Sequence, residues 1–326
     1  MLLQSPASPP EATEADRAAA VEVLPGAWVQ AAQGAFSANT ERAVKADLGI
    51  YTAWCTGQGR AALPASPDTI AAFVDAMAAT RAPATVRRYV ASVALAHRAI
   101  GCATTPNSPA VKLALQRMHR AKGRRQAQAL GLTWPLRECL LNATGDRLID
   151  ARNRALVAVA YDTLLRRSEL AALQVPDLAM QATGAATVLV RNGKTDAEGR
   201  GDVLYLVRDT MALVQEWLVR SGVSQGRLFR SLSRAELGET LHPSQIPRIY
   251  KAMARRAGLE PEMVDRLSAH STRVGAAQDM IAYGVELPAM LQAGRWKTTS
   301  MVNRYGERLL AQQSGAAQLA RMQSRE

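Results

Sequence analysis

Apolar residues recur at helical spacing through the first third of the chain and turn to alternation only in short stretches further on. Val44, Leu48, Tyr51 and Cys55 fall at i, i+4, i+7 and i+11, one stripe of a helix. Ile70, Phe73, Val74 and Met77 make a second stripe behind Ser66-Pro67, a cap followed by proline at the first helical position. A third helix follows Pro83, with Val86, Val90, Val93 and His97 on one face and Gly101 as its stop. The fourth opens at Ser108-Pro109, carries Val111, Ala114, Leu115 and Met118, and ends near Gly123. Helices joined by short links from residue 26 to 123 predict a small bundle.

Residues 124–134, rich first in Arg and then in Gln, read as a linker into a second domain over 135–306. Asp150 to Tyr161 is apolar almost all round, so that helix is expected to be buried. Thr187–Arg191 alternates as a strand, and Val203–Val207 is a second β-rich segment. Asn192-Gly193 is followed by a polar run, Lys194 to Gly201, which places Lys194 near the end of the first strand beside a longer loop. Thr272–Tyr283 predicts a helix ending at Gly284, and Glu286–Ala293 a shorter one closing at Gly294. A third, Met301–Leu310, starts from Thr298 or Thr299 and carries Tyr305. Residues 307–326 form a tail in which Ala316, Leu319, Ala320 and Met322 share one stripe, too small for an independent helix in water, hence frayed or docked. Residues 1–25, with Pro6, Pro9 and Pro10 among several acids, are expected to be disordered.

Charge sharpens this picture. The 40 Lys and Arg against 28 Asp and Glu give +12, and residues 26–130 hold 13 of the bases but only 4 of the acids. Such an excess on a folded domain points to a polyanionic partner. Its bases are Arg42 and Lys45 on one helix, Arg87 and Arg88 on another, and Lys112, Arg117, Arg120, Lys122, Arg124 and Arg125 towards the end. Cys55, Cys102 and Cys139 are few, odd in number and without metal-ligand spacing, so neither a disulfide framework nor a zinc site is indicated. No run approaches a membrane helix, and the acidic start is unlike a signal peptide, so a cytoplasmic protein is expected.

Candidate chemistry gathers in two places. His270 and Arg273 stand three apart at a helix entry and can face one point, such as an anion. Arg166 and Glu169 stand three apart behind the buried helix, where the carboxylate can brace the guanidinium. Taken singly, each has an ordinary structural role: a local ion pair, a cap, a packed Tyr or Trp.

In combination Arg166, Glu169, Lys194, His270, Arg273, Trp296 and Tyr305 resemble the active site of the tyrosine recombinases, the phage integrase family. The likeness rests on YDTLLRRSEL (161–170) and HSTRVGAAQDMIAYGVELPAMLQAGRWKTTSMVNRY (270–305). It extends more loosely to SANTERAVKADLGIYTAWC (37–55) and ATVRRYVASVALAHRAIG (84–101), so it spans residues 28–310 apart from a poorly matching stretch at 208–266. Trp296 stands where the wider family commonly has a second His. The resemblance implies a mainly α fold: a helical core-binding domain and a mostly helical catalytic domain with a small antiparallel β-sheet, together a C-shaped clamp on DNA.

It also implies roles. Arg166 and Arg273 would clamp the scissile phosphate, whose shape suits their planar forks. Tyr305 would attack the phosphorus, His270 would assist removal of its proton, and Lys194 would protonate the leaving 5′-oxygen. Trp296 would lend its indole N–H and pack the nucleophile's helix, while Glu169 would hold Arg166 or His270. Neither a cofactor nor a metal is implied. Thr40, Arg42, Lys45, Arg87, Arg88, Lys122, Arg124 and, in the second domain, Arg248 are the candidate DNA contacts. The expected partners are double-stranded DNA with an inverted-repeat site and further copies of the chain, a dimer per site and a tetramer on two, in a bacterial nucleoid. The alternatives are a sequence-specific DNA-binding protein without strand transfer and a nicking-closing enzyme of the type IB topoisomerase kind.

Overall fold

The computed structural model describes residues 36–102, 107–191, 201–233 and 236–325. The acidic start at 1–25, Asn192-Gly193 and Lys194 lie outside the described residues. The chain divides into two compact units, residues 1–127 and 128–326.

In the first unit α1 (Ala38–Gly57), α2 (Pro67–Thr80), α3 (Pro83–Ala99) and α4 (Pro109–Lys122) form the bundle. Its starts follow the sequence signals. Ser37, Ser66 and Ser108 each accept a backbone N–H three residues on, and Pro67, Pro83 and Pro109 open their helices. Gly123 closes α4 with φ 73°, a value an L side chain resists. Phe73 sits at the centre, its ring 4.9 Å from Tyr51 and 5.3 Å from Trp54. Truncating it would cost about 3–5 kcal/mol. His97 is fully buried yet satisfied, with Nδ1 bonded to the Val93 carbonyl at 2.8 Å and Nε2 accepting from Ala65 N at 3.0 Å.

The second unit is built around α6 (Leu148–Thr163), whose apolar residues from Ala155 to Ala160 are buried on every side. Before it stands α5 (Trp134–Asn142); after it, α7 (Arg167–Ala172) leads into the antiparallel sheet β1 (Leu178–Met180), β2 (Ala186–Val190) and β3 (Asp202–Leu206). In β2 Ala186, Val188 and Val190 face the core, and Val190 pairs with Asp202 across the β2–β3 loop. Next come α8 (Arg208–Ser221), the two-stranded β4 (Leu232–Ser233) and β5 (Glu236–Leu237), α9 (Gln245–Arg256) and α10 (Pro261–Arg266). The last helices are α11 (Ser271–Ala282), α12 (Leu287–Gly294), α13 (Ser300–Gln312) and α14 (Gly315–Met322). Leu130 and Leu132, in the stretch expected to link the units, are fastened to this one: their N–H groups donate to the carbonyls of Arg266 and Ser271 at 3.0 and 2.8 Å. Among the described residues no helix is long and apolar enough to cross a membrane.

One helix end departs from expectation. Gly294 was expected to close α12 just after Ala293, but it is the last helical residue, and Arg295 follows in the left-handed conformation at φ 51°, ψ 46°. Trp296 is the reason. Its ring lies against Gly294, where an added Cβ would come within 2.5 Å of Cε2. Gly294 is therefore used for close approach rather than for backbone freedom.

Candidate active site

The site grows from three chain breaks around one apolar cluster. Leu164, Val274, Ala277, Ile281, Met290, Trp296, Val302 and Tyr305 pack together where α6, α11, α12 and α13 meet. Helix α6 ends at Leu164 in a left-handed conformation (φ 50°, ψ 30°), which turns the chain so that Arg166 becomes the residue before α7. There the expected brace forms. The Glu169 carboxylate accepts from Arg166 Nη1 at 2.8 Å and from its backbone N–H at 2.9 Å, a capping box.

Arg273, in the first turn of α11, is only 3% exposed. Its Nη1 donates to the Leu164 carbonyl and its Nη2 to the Gly294 carbonyl at 3.0 Å, and its guanidinium carbon lies 5.6 Å from the Trp296 ring. Burial, and then the Arg166 charge, push its pKa down to about 10, which leaves it a cation at neutral pH. Of its five N–H donors, two go to backbone carbonyls that fix the plane of the fork.

Trp296 meets Tyr305 edge-on, with ring centroids 5.8 Å apart and planes at 67°. Tyr305 is 9% exposed. Its carbonyl accepts from Gln278 and Gln128 side-chain amides at 3.2 and 3.3 Å, which ties the middle of α13 to α11 and to the start of the unit. The Trp296 indole N–H is buried and has no partner among the described residues. An orphaned buried donor is costly, and an incoming acceptor would relieve it. His270 precedes α11 with an exposed side chain. Its pKa is lowered, first by partial burial and then by the Arg273, Arg166 and Arg167 charges, which favours the neutral imidazole.

The structure thus pairs Arg166 with Glu169 and packs Arg273 on Trp296 and Trp296 on Tyr305, with the Arg166 and Arg273 charges close enough to act on each other and on His270. The second partner of Glu169 is a residue the sequence reading missed. Arg295 Nη2 reaches Glu169 Oε2 at 2.5 Å; this, and no hydrogen bond to His270, completes the carboxylate's bonds among the described residues. The clue was a charged residue inside the apolar run that ends in Trp296. No group of three or more His, Cys, Asp or Glu is placed to hold a metal ion among the described residues.

The candidate DNA contacts separate by what their side chains already do. Arg88 is committed: its Nε and Nη2 hold both oxygens of Asp47, 1% exposed, at 3.0 and 2.7 Å, with Ser92 adding a third bond. Lys122 donates to the Ala79 and Arg81 carbonyls, capping α2. Arg42 bonds Asn39 Oδ1 at 3.0 Å, and Thr40 Oγ1 pairs with Ser37 Oγ at 3.0 Å. Lys45, Arg87, Arg124 and Arg248 are exposed.

Residues 137–310, more than half of the chain, match the phage integrase family, so the chain belongs to that family of tyrosine recombinases: it is a DNA-binding enzyme of site-specific recombination. Recombinase Cre of Escherichia phage P1 is 29% identical to it over 291 residues, covering 83% of this chain and 84% of Cre. The fold is that of solved relatives. The Tn1549 transposon integrase in complex with transposon right end DNA aligns with a TM-score of 0.62 at 13% identity, covering 90% of this chain and 99% of that one. A lambda integrase dimer bound to a COC′ core site gives 0.59 at 13%, covering 89% and 76%.

Proposed function

We propose that this enzyme cuts and rejoins DNA through a 3′-phosphotyrosyl bond to Tyr305, acting as a tetramer on two inverted-repeat sites and passing through a Holliday junction. The observation that carries this reading is the packing of Arg273 on Trp296 and of Trp296 on Tyr305, with the indole N–H unpaired among the described residues. A phosphate oxygen is the acceptor that donor lacks.

In the reaction, the Tyr305 hydroxyl oxygen bonds to phosphorus as the bond to the 5′-oxygen breaks. Neutral His270 takes the phenolic proton, and Lys194 gives one to the departing oxygen. Arg166 and Arg273 hold the non-bridging oxygens, whose charge grows in the transition state, through donors already fixed by Glu169 and by two backbone carbonyls. Attack by the 5′-hydroxyl of a partner strand reverses these steps and rejoins the DNA. The phosphodiester energy is kept in the tyrosyl bond, so no nucleotide cofactor is needed. Among the candidate DNA contacts, exposure supports Lys45, Arg87, Arg124 and Arg248, together with Thr40 and Arg42.

Assembly is assigned to α14. It has no buried residue, and Leu319 and Met322 are 50% and 82% exposed, which suits an apolar stripe that docks on a second copy. Truncation after Ser314 should leave half-site binding intact, reduce cooperative filling of the full site and abolish exchange between two sites. A truncated protein that recombines at the full rate would remove α14 from the assembly.

A further inference from the structure

We propose that Arg295 is a positioning residue of the active site, which holds the Glu169 carboxylate, and through it Arg166, in register with Trp296 and the start of β3. Its guanidinium is 7% exposed and forks between two carboxylates, Nη2 to Glu169 Oε2 at 2.5 Å and Nη1 to Asp202 Oδ2 at 3.2 Å. Asp202 is the first residue of β3. Glu169 in turn holds Arg166 Nη1 at 2.8 Å. The neighbouring Gly294 gives its carbonyl to Arg273 Nη2 at 3.0 Å. One Gly-Arg-Trp step therefore aligns both arginines, one through a main-chain oxygen and the other through a side chain, while supplying the indole that packs on Tyr305.

The local backbone does not favour an arginine here. Its backbone is left-handed, a conformation that favours glycine, and its Nε is buried without a partner among the described residues. Arginine supplies a rigid two-pronged link between elements that are otherwise far apart in sequence. The charges around Glu169 make the link readable by pH. Burial pushes the Glu169 carboxyl up, but the Arg166 N–H, Arg295 and the Arg166 side chain outweigh it and hold the group below its usual range. Arg273 faces it from α11, and Asp202 lies across Arg295.

The proposal rests on Arg166 and Arg273 being the phosphate clamps, so its test is run beside Tyr305→Phe. Arg295→Gly relieves the backbone while taking one of two cations from Glu169, which keeps Arg166, and should bind a half-site normally. Its single-turnover cleavage should slow on the order of ten- to hundredfold, as misplaced catalytic groups do. The acid limb of its rate profile should move to higher pH, because Glu169 has lost a cation. Arg295→Lys, which keeps a charge beside Glu169, should recover part of both. Wild-type cleavage with an unchanged pH profile in Arg295→Gly, or in Arg295→Lys should the glycine variant not fold, overturns the positioning role. A parent enzyme that forms no adduct, or an adduct that persists in Tyr305→Phe, would instead overturn the catalytic reading beneath it.

Discussion

Adding a single methyl at Gly294 tests whether the nucleophile is positioned by packing. The new Cβ would lie 2.5 Å from Trp296 Cε2, so the indole must retreat by about 1 Å to reach ordinary contact. The buried ring already packs against the Arg273 guanidinium and the Tyr305 ring, so its retreat disturbs those contacts. Overpacking of this kind costs about 1–3 kcal/mol, which for a unit of this size lowers Tm by about 2–4 °C per kcal/mol. The larger effect should be on rate, because a reacting group displaced by about 1 Å can lose on the order of a hundredfold. Gly294→Ala should therefore bind a half-site as the parent does, melt a few degrees lower and cleave a suicide half-site about a hundredfold more slowly in single turnover. Gly315→Ala, at a position with nothing within 4 Å, is the matched control. Parental cleavage by Gly294→Ala would show that the Trp296–Tyr305 packing does not position the nucleophile.

Two further outcomes follow from the same geometry. Arg87→Ala should leave stability unchanged and relax base preference at one position of a randomised site library, at a cost of about 1–3 kcal/mol, whereas Arg88→Ala strands the buried Asp47 and should lower Tm; equal melting of the two variants, with no change in site ranking, would refute both assignments. In the free protein an NMR titration of the His270 ring should have its midpoint below about 6.5, the ordinary imidazole value, since partial burial and then Arg273, Arg166 and Arg167 all disfavour the charged form. The group is then already a neutral base at pH 7, and loses that role only as pH falls through the lowered value; a midpoint above 6.5 would contradict this.

What could be read from the sequence was whatever local pattern controls. The Ser-Pro starts of α2 and α4 are set by backbone donors within four residues, and the Arg166–Glu169 brace lies within one helical turn. The order and type of the elements from Thr272 to Leu310 were legible for the same reason. Arg295 was not, because its partners Glu169 and Asp202 lie 126 and 93 residues away and only the tertiary fold brings them together. The same holds for Gly294, whose value as a stop signal hid its use as clearance for Trp296. Arg88 shows the converse: the basic excess and the family resemblance suggested a DNA contact, and Asp47, 41 residues away, takes two of its guanidinium donors.

Covalent capture of the DNA strand by Tyr305 can be read directly. A suicide substrate whose cleaved fragment diffuses away should trap the chain on the 3′ end of the retained strand, as a denaturant-resistant band, and peptide mapping should place the DNA on the Tyr305 peptide. Tyr305→Phe should bind the same DNA with near-parental affinity and give no such band. An adduct that persists in Tyr305→Phe, or that maps to another residue, would contradict Tyr305 as the nucleophile.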